Sequence, residues 1–498
     1  MARARTQTGY DKLICASMKP LPTAEKAAPA EQTGIVARAA LGLTEWTERW
    51  VPDAFIFALM ATVFVLGAAW VATKATLPQV VDAWGRGFWE LIPFTMQMAL
   101  IIITGYVLAT AGPMQRLIRK IAGWPQSPRA AVALVAVFAM GSAWINWGFS
   151  TIFSAMLGLE VARRVPRVDY RALAAASFMG VGSVWAQGLS GSAALQMATP
   201  GALQNSVRDI IAHGGVIPGG IISFSHTIFL WQSFVSVIIE MALVTAVMWF
   251  ATPPAGVGRS AKDLGIELGE SEVEPPPGRA LTPGAWLEHS PLLTWFIVAI
   301  GVAFLVRYFM QAGEPLNALN LNILNFAFLL AGFLLHRTPA RLMHAFRHAT
   351  PAVWGVLLQF PFYAGIAGII TATHLNDLLA DMFVRISNHT TFPPLIAIYS
   401  AVLGVFVPSG GSKWVIIAPY AMSAAHSVKV HLGWIVCTYD LGEAVANLIQ
   451  PFWMLPMLSL FRLGARDVMG YTFVVFLALT PVVLILVTVL GLTLGYPL

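Results

Sequence analysis

Charged side chains are scarce in this chain, and their scarcity defines its class. Asp, Glu, Lys and Arg make up 11% of the 498 residues, whereas 57% are hydrophobic. Soluble domains carry about a quarter charged residues. Many apolar runs approach ~20 residues, the length that an α-helix needs to cross a bilayer. The sequence therefore predicts an integral membrane protein surrounded by lipid.

Cysteine, a nucleic-acid-binding charge and a leader sequence are also lacking. Only Cys15 and Cys437 are present, far apart, which excludes a disulfide framework and the usual metal spacings. The net charge of +6 comes from basic residues in short loops, which mark topology rather than nucleic-acid binding. Residues 1–40 contain no apolar core, so no cleavable signal peptide is predicted. We predict no cofactor and no metal.

Nine segments are predicted to form complete membrane spans. They are 53–72, 89–110, 172–188, 221–250, 291–311, 319–335, 351–370, 431–449 and 470–494. The hydrophilic segment 251–290, rich in Pro, Gly and Glu, separates two halves. We therefore divide the chain into an N-terminal segment, a first transmembrane repeat, a linker, and a connecting span with a second repeat, at 1–45, 46–250, 251–290 and 291–498.

Basic residues in short loops predict the orientation in a bacterial-type inner membrane. The loops 111–129, 163–171 and 336–350 are rich in Arg and Lys, which favours the cytoplasmic side. The loops 73–88 and 371–391 contain fewer basic residues and are predicted to lie outside. The N-terminus is then cytoplasmic.

Two polar interruptions predict re-entrant hairpins. Residues 129 and 163 both adjoin basic clusters, but the 34 residues between them are too few for two spans of about 20 residues each. The sequence WINWGF lies midway and forms the predicted tip of a hairpin that lines a cavity. The sequence FVPSGGSKW, residues 406–414, has the same form in the second half and enters from the opposite side.

The two halves are predicted to be inverted-topology repeats. Each hairpin is followed by a span with a polar interruption and a proline, at 188–201 and 441–451. Gln97 lies 49 residues before Asn146, and Gln359 lies 50 residues before Ser409. Inverted repeats with broken helices are typical of transporters whose binding site lies at the membrane midplane.

These motifs resemble the short-chain fatty acid transporter family of the ion-transporter superfamily. The family's motifs appear here as WINWGF, GLSGS, ATPG and VPSGGSKW, together with FWELIPFTMQMALIIITG, VARRVP, QFPFYAGI and RDVMGY. The resemblance extends from about Trp46 to the last span. The chain differs at Ser412, where the family commonly has a third glycine, and at Lys413, where it commonly has His or Gln.

The resemblance implies a secondary active transporter rather than an enzyme. Its substrates would be short-chain monocarboxylates such as acetoacetate or butyrate, carried inward by proton symport. The superfamily implies a homodimer in which a mobile domain holding both hairpins slides against a scaffold. The alternatives are a sodium-coupled carrier of dicarboxylates or other small anions, a membrane-embedded enzyme and a channel.

A carboxylate site needs hydrogen-bond donors in a partly dry cavity. Helix starts at the hairpin tips supply free N–H groups, and hydroxyl and amide side chains add further donors. The same small residues also suit tight turns and close helix packing. The predicted substrate-binding residues are Asn146, Trp147, Gly148, Ser190, Gly191, Ser192, Thr199, Ser409, Gly410, Gly411, Ser412, Lys413 and Asn447.

Ionisable residues within the apolar segments are candidates for ion coupling. Lys413 could pair with the substrate, pair with Glu443 or Asp440, or reach the membrane surface. Asp440 and Glu443 are predicted to couple transport to H⁺ or Na⁺. Glu240 lies in a long span without a counterpart in the other half. Its default role is a helix-end or interhelical pair, and ion coupling is the alternative.

Overall fold

The computed structural model describes residues 54–89, 92–198, 217–269, 282–312, 321–375, 385–406 and 410–498, with a few isolated positions besides. Within these ranges the chain forms helices and turns, and no β-strand occurs. The predicted all-α class is therefore confirmed for this part of the chain.

The described helices follow one another in a simple order. They are α1 (Ala54–Ala72), α2 (Leu77–Gly87), α3 (Ile92–Thr110), α4 (Gly112–Ala122), α5 (Pro128–Ile145), α6 (Trp147–Arg164), α7 (Tyr170–Phe178), α8 (Ser192–Ala198), α9 (Trp231–Ala251), α10 (Pro283–His289), α11 (Pro291–Gln311), α12 (Leu321–His336), α13 (Pro339–Ala349), α14 (Trp354–Ala372), α15 (Phe392–Phe406), α16 (Gly410–Ser427), α17 (Leu432–Asn447), α18 (Leu455–Phe461) and α19 (Arg466–Gly491).

Local sequence signals explain where several helices begin. The Ser127 hydroxyl accepts a hydrogen bond from the N–H of Ala130, and Pro128 occupies the first position of α5. The Asp169 carboxylate accepts from the N–H groups of Arg171 and Ala172 at the start of α7. Such side chains satisfy N–H groups that have no partner within the helix.

The helices are long and apolar enough for a multi-pass membrane protein. Within the described ranges, five could cross a bilayer by length and composition: 128–145, 231–251, 291–311, 339–370 and 466–491. Two bent pairs raise this number to seven. One bends by 75° between α3 and α4, and the other by 74° between α17 and the chain that ends with α18.

Two of the segments predicted as complete spans are not continuous helices. In the segment 172–188, α7 ends at Phe178 and the chain continues through turns to a 3-10 helix at Val184–Gln187. In the segment 221–250, α9 begins only at Trp231. Glycines explain the interruption in 172–188, because without a side chain the backbone can pack directly against its neighbours. A Cβ at Gly188 would lie 2.3 Å from the carbonyl oxygen of Trp144.

The helix α17 lies at the centre of the fold, and every residue in it is buried. It packs against α15, α16, α8, α19 and the 3-10 helix Val184–Gln187, so it contacts elements of both halves. The contact with α15 is very close at Gly442, where a Cβ would lie 2.2 Å from the carbonyl oxygen of Ala397.

We expect Gly442→Ala to destabilise the protein by about 1–3 kcal/mol, because the added methyl group forces the backbones of α15 and α17 apart. The change is measured as the melting temperature in detergent, taken from the fraction of protein that remains monodisperse on heating. The control is Gly67→Ala in α1, where a Cβ meets nothing within 4 Å. The control should be neutral or stabilising, since alanine favours a helix by about 0.5–1 kcal/mol over glycine. Equal melting of both variants would contradict the close contact.

Candidate functional site

The first predicted tip is a break between two helices that pack against each other. Asn146 lies between α5 and α6, and its Oδ1 accepts a hydrogen bond of 2.8 Å from the N–H of Phe149. Its Nδ2 is buried and has no hydrogen-bond partner. The N–H of Trp147 donates to the hydroxyl of Ser190 at 3.1 Å. The tip is therefore joined to the turn that precedes α8.

The second predicted tip forms the first turn of α16. The carbonyl of Gly410 accepts a hydrogen bond from the Tyr439 hydroxyl at 2.8 Å. The carbonyl of Gly411 accepts from Nε2 of Gln196 in α8 at 2.9 Å. Ser412 lies in the same turn, and Ser409 lies outside the described residues. This tip packs against α8, because a Cβ at Gly410 would lie 3.3 Å from the Ser192 hydroxyl oxygen.

A buried ion pair joins Lys413 and Glu443. The two side chains are 3% and 1% exposed, so Lys413 does not reach the membrane surface. The Lys413 ammonium group also donates to the carbonyl of Ser400 at 3.1 Å. The Oε1 atom of Glu443 is buried without a hydrogen-bond partner. Of the alternatives for Lys413, the structure contains the internal pair with Glu443.

Asp440 lies one helical turn before Glu443 and contacts the other half of the chain. Its Oδ2 accepts a hydrogen bond from the N–H of Ala193 at 2.9 Å, at the start of α8. Its Oδ1 is buried without a partner. One ammonium group and two carboxylates therefore lie close together, and the cluster carries a net negative charge unless it binds a proton or a cation.

The second helix break has its polar groups satisfied. The Asn447 amide donates to the carbonyl of Val181 at 3.0 Å and accepts from Nε2 of Gln450 at 2.9 Å. The Oε1 atom of Gln450 accepts from the N–H of Phe452 at 2.8 Å. Asn447 thus connects the break to the glycine-rich turns after α7, and its contacts are structural.

A small apolar pocket adjoins the first tip. The rings of Trp147 and Trp453 meet edge to face, with their centroids 4.9 Å apart. The pocket is narrow, with a volume of about 10 Å³, roughly enough for one water molecule. It is lined by Ile102, Trp147, Gly148, Thr151, Ile152, Val356, Trp453 and Pro456. These residues come from both halves of the chain, so the first tip and the second break share one cavity.

The predicted residues form two contact groups. Asn146, Trp147 and Ser190 meet at the first tip. Around the second tip lie Gly410, Gly411, Lys413, Ser192, Asp440 and Glu443. Gly191 provides close approach, because a Cβ there would lie 2.6 Å from the carbonyl oxygen of Ala186. Thr199 lies outside the described residues.

Sequence reasoning missed four contacting residues. Ser400 provides a carbonyl to Lys413, whereas Gln196 and Tyr439 bond the second tip and Trp453 packs on the first. Three of them could have been found, since Tyr439 precedes Asp440, Gln196 is one turn after Ser192, and Trp453 follows the second break. The contact of Ser400 is a backbone contact, for which its residue type gives no signal.

Apolar helices that surround two helix breaks and a buried charged cluster define a multi-pass membrane protein with a polar site in its interior. The sequence model of the family described as short chain fatty acid transporter matches residues 35–491. The chain therefore belongs to the short-chain fatty acid transporter family, whose members are transporters rather than enzymes.

Similar proteins agree with this membership. A protein of Escherichia coli K12, named as a candidate short-chain fatty acid transporter, is 38% identical over 88% of this chain and 96% of its own length. A protein of Haemophilus influenzae with the same name is 34% identical over 91% of this chain and 99% of its own length.

Two solved structures align with the chain at 14% identity. The YdaH transporter of Alcanivorax borkumensis has a TM-score of 0.44 and covers 87% of this chain and 98% of its own. The MtrF protein of Neisseria gonorrhoeae, described as an antimetabolite efflux pump, has a TM-score of 0.43. The alignment covers 92% of this chain and 98% of the MtrF chain.

Proposed function

We propose that this protein is a secondary active transporter that carries short-chain monocarboxylates, such as acetoacetate or butyrate, inward together with protons. The observation that carries this proposal is the buried, unpaired amide of Asn146 beside a small apolar pocket. A short-chain acid has the matching chemistry, since its carboxylate accepts hydrogen bonds and its hydrocarbon chain favours an apolar wall.

In this mechanism the substrate carboxylate binds at the first tip, near Nδ2 of Asn146 and the start of α6. The start of a helix favours an anion because its N–H groups and its dipole are both positive. The pocket in this structure is too small for the hydrocarbon chain, so the chain enters between Trp147, Val356 and Trp453 when these side chains move apart. The space that these side chains can open then limits the chain length.

The proton is carried by the cluster of Asp440, Glu443 and Lys413. The ammonium group of Lys413 is paired with Glu443, so Asp440 is the carboxylate left for a proton. The names of the two bacterial relatives support the substrate class. No cofactor takes part in this proposal.

The wider architecture belongs to the same proposal. The pairs α5–α6 and α15–α16 form re-entrant hairpins within inverted repeats, and the chain has about nine full spans. The protein is a homodimer in the inner membrane with a cytoplasmic N-terminus, and alternating access occurs by an elevator-like motion. The helix starts at Trp147 and Gly410 support the repeat, because each follows the predicted tip of its own half.

Counterflow in proteoliposomes tests the proposed substrate. Vesicles loaded with unlabelled acids from acetate to hexanoate should take up labelled butyrate, and a proton gradient should drive its accumulation without sodium. Exchange of dicarboxylates that requires sodium would instead support a sodium-coupled carrier. The proposal fails if none of the monocarboxylates exchanges.

Changing the pocket volume should shift the preferred chain length. Val356→Phe fills the pocket, so we expect exchange of hexanoate and butyrate to fall relative to acetate by about tenfold or more, and Val356→Ala should have the opposite effect. The control is Leu357→Phe on the same helix, whose side chain is 46% exposed on the outer face. An unchanged order of acids in Val356→Phe would place the hydrocarbon chain elsewhere.

A further inference from the structure

Glu240 is a completely buried carboxyl group outside the cluster described above. It lies in the middle of α9, and its Oε1 accepts hydrogen bonds from Nε2 of Gln187 at 2.6 Å and from the Ser236 hydroxyl at 2.7 Å. An isolated carboxylate is costly to bury unless a charge or several hydrogen bonds compensate it. The groups around Glu240 therefore determine whether its protonated or its ionised form is favoured.

No cation among the described residues pairs with Glu240. The charged side chains of the elements packed against α9 lie at helix starts, where α5 has Arg129, α7 has Arg171 and α19 has Arg466 and Asp467. The Cys437 thiol of α17 lies 3.9 Å from the hydroxyl of Ser233, one turn before Ser236. Tyr170 and Tyr471 are the other titratable groups on these elements.

Two buried acceptor atoms at this site lack a donor. They are Oε2 of Glu240 and Oε1 of Gln187, which belong to side chains already joined by one hydrogen bond. A proton on Glu240 supplies the missing donor, and a carboxylic acid and a primary amide can then exchange two hydrogen bonds. If the amide of Gln187 were reversed, its oxygen would face Glu240 and would also require a proton there.

Gln187 connects this carboxyl group with both tips. It ends the 3-10 helix Val184–Gln187, directly before the turn that contains Ser190. The Ser190 hydroxyl accepts a hydrogen bond from the N–H of Trp147 at the first tip. At the second tip, a Cβ on Gly410 would lie 3.2 Å from the ring of Trp185. A change of hydrogen bonding at Gln187 thus acts on a segment that contacts both tips.

We propose that Glu240 binds a proton that closes the Glu240–Gln187 pair and holds the segment 184–192 against the two tips. Loss of this proton places two acceptors side by side and loosens the segment. The site is separate from Asp440, and it adds to the proposed function a control of the exchange rate by pH.

Exchange of butyrate at equal pH on both sides of the vesicle tests the site without a proton gradient. The wild-type rate should fall as the pH rises. Glu240→Gln should flatten this fall and leave only the dependence imposed by the proton on Asp440, because the amide donates permanently to Gln187. Glu160→Gln is the matched control, since Glu160 pairs with Arg163 and Arg164 near the end of α6. The control should follow the wild type.

A spectroscopic measurement separates this inference from the choice of substrate. In infrared difference spectra between acidic and alkaline pH, the wild type and Glu160→Gln should show a protonated-carboxyl band that Glu240→Gln lacks, separate from the band that Asp440→Asn removes. This result supports the site even if no acid is exchanged. The inference is overturned if the Glu240→Gln variant retains the band, or if its exchange rate keeps the pH dependence of the wild type.

Discussion

Loss of either member of the Lys413–Glu443 pair should destabilise the protein by about 3–5 kcal/mol, because the remaining charge stays buried without its partner. Lys413→Met leaves a lone carboxylate, and Glu443→Leu leaves a lone ammonium group. Both side chains are almost completely buried, so water does not compensate the loss. Melting of the purified variants in detergent measures the effect.

The double variant Lys413→Met/Glu443→Leu decides whether the two residues act as a pair. It removes both charges and leaves apolar groups of similar size, so it should recover most of the lost stability. The control is Lys429→Met, which removes an exposed lysine that lies over the ring of Tyr496 and should cost about 1 kcal/mol or less. Additive losses in the double variant would show that the pair is not the dominant interaction of Lys413.

The same variants address substrate contact. If Lys413 binds the substrate as well, saturating butyrate should stabilise the wild type but not the double variant. Stabilisation of both proteins by butyrate would leave Lys413 with an internal role, and the carboxylate would bind at the first tip as proposed.

Asp440→Asn should abolish the accumulation of butyrate driven by a proton gradient, so that the internal concentration only equals the external one. Asparagine keeps an oxygen that accepts from the N–H of Ala193, so the start of α8 should remain capped. Exchange without a gradient should persist, since it requires no net proton movement. Concentrative uptake by this variant would remove Asp440 from the coupling mechanism.

Asp440→Ala separates the two roles of this carboxylate. It also removes the acceptor at the start of α8, and we expect an additional loss of about 0.5–2 kcal/mol relative to Asp440→Asn. If both variants melt at the same temperature, the contact with Ala193 contributes little to stability.

The sequence located both helix breaks because each one combines polar residues with a conformational signal. Asn146 was predicted as a tip, and it is the N-cap of α6. The break after Asn447 was predicted from the polar run before Pro451, and the chain bends there by 74°. The number of full spans was less accessible, since Gly180, Gly182 and Gly188 interrupt a segment whose composition is as apolar as that of a helix.

The partners of the charged residues were not predictable. Lys413, Glu443 and Asp440 were all identified as candidates, but the choice between an internal pair and a substrate contact depends on the placement of α16 and α17. The contact between Asp440 and the start of α8 joins residues 247 positions apart in sequence. No local pattern encodes such a distance, because it arises only when both halves are folded.

The helix α17 has a mechanical consequence for any transport cycle. Asp440 binds the start of α8, Glu443 binds Lys413 in α16, and Asn447 binds the turn at Val181. Three successive turns of one buried helix are thus fastened to three different segments, two of them in the first half of the chain. As long as these contacts hold, the three segments move together with α17, and relative motion occurs outside the region that they join.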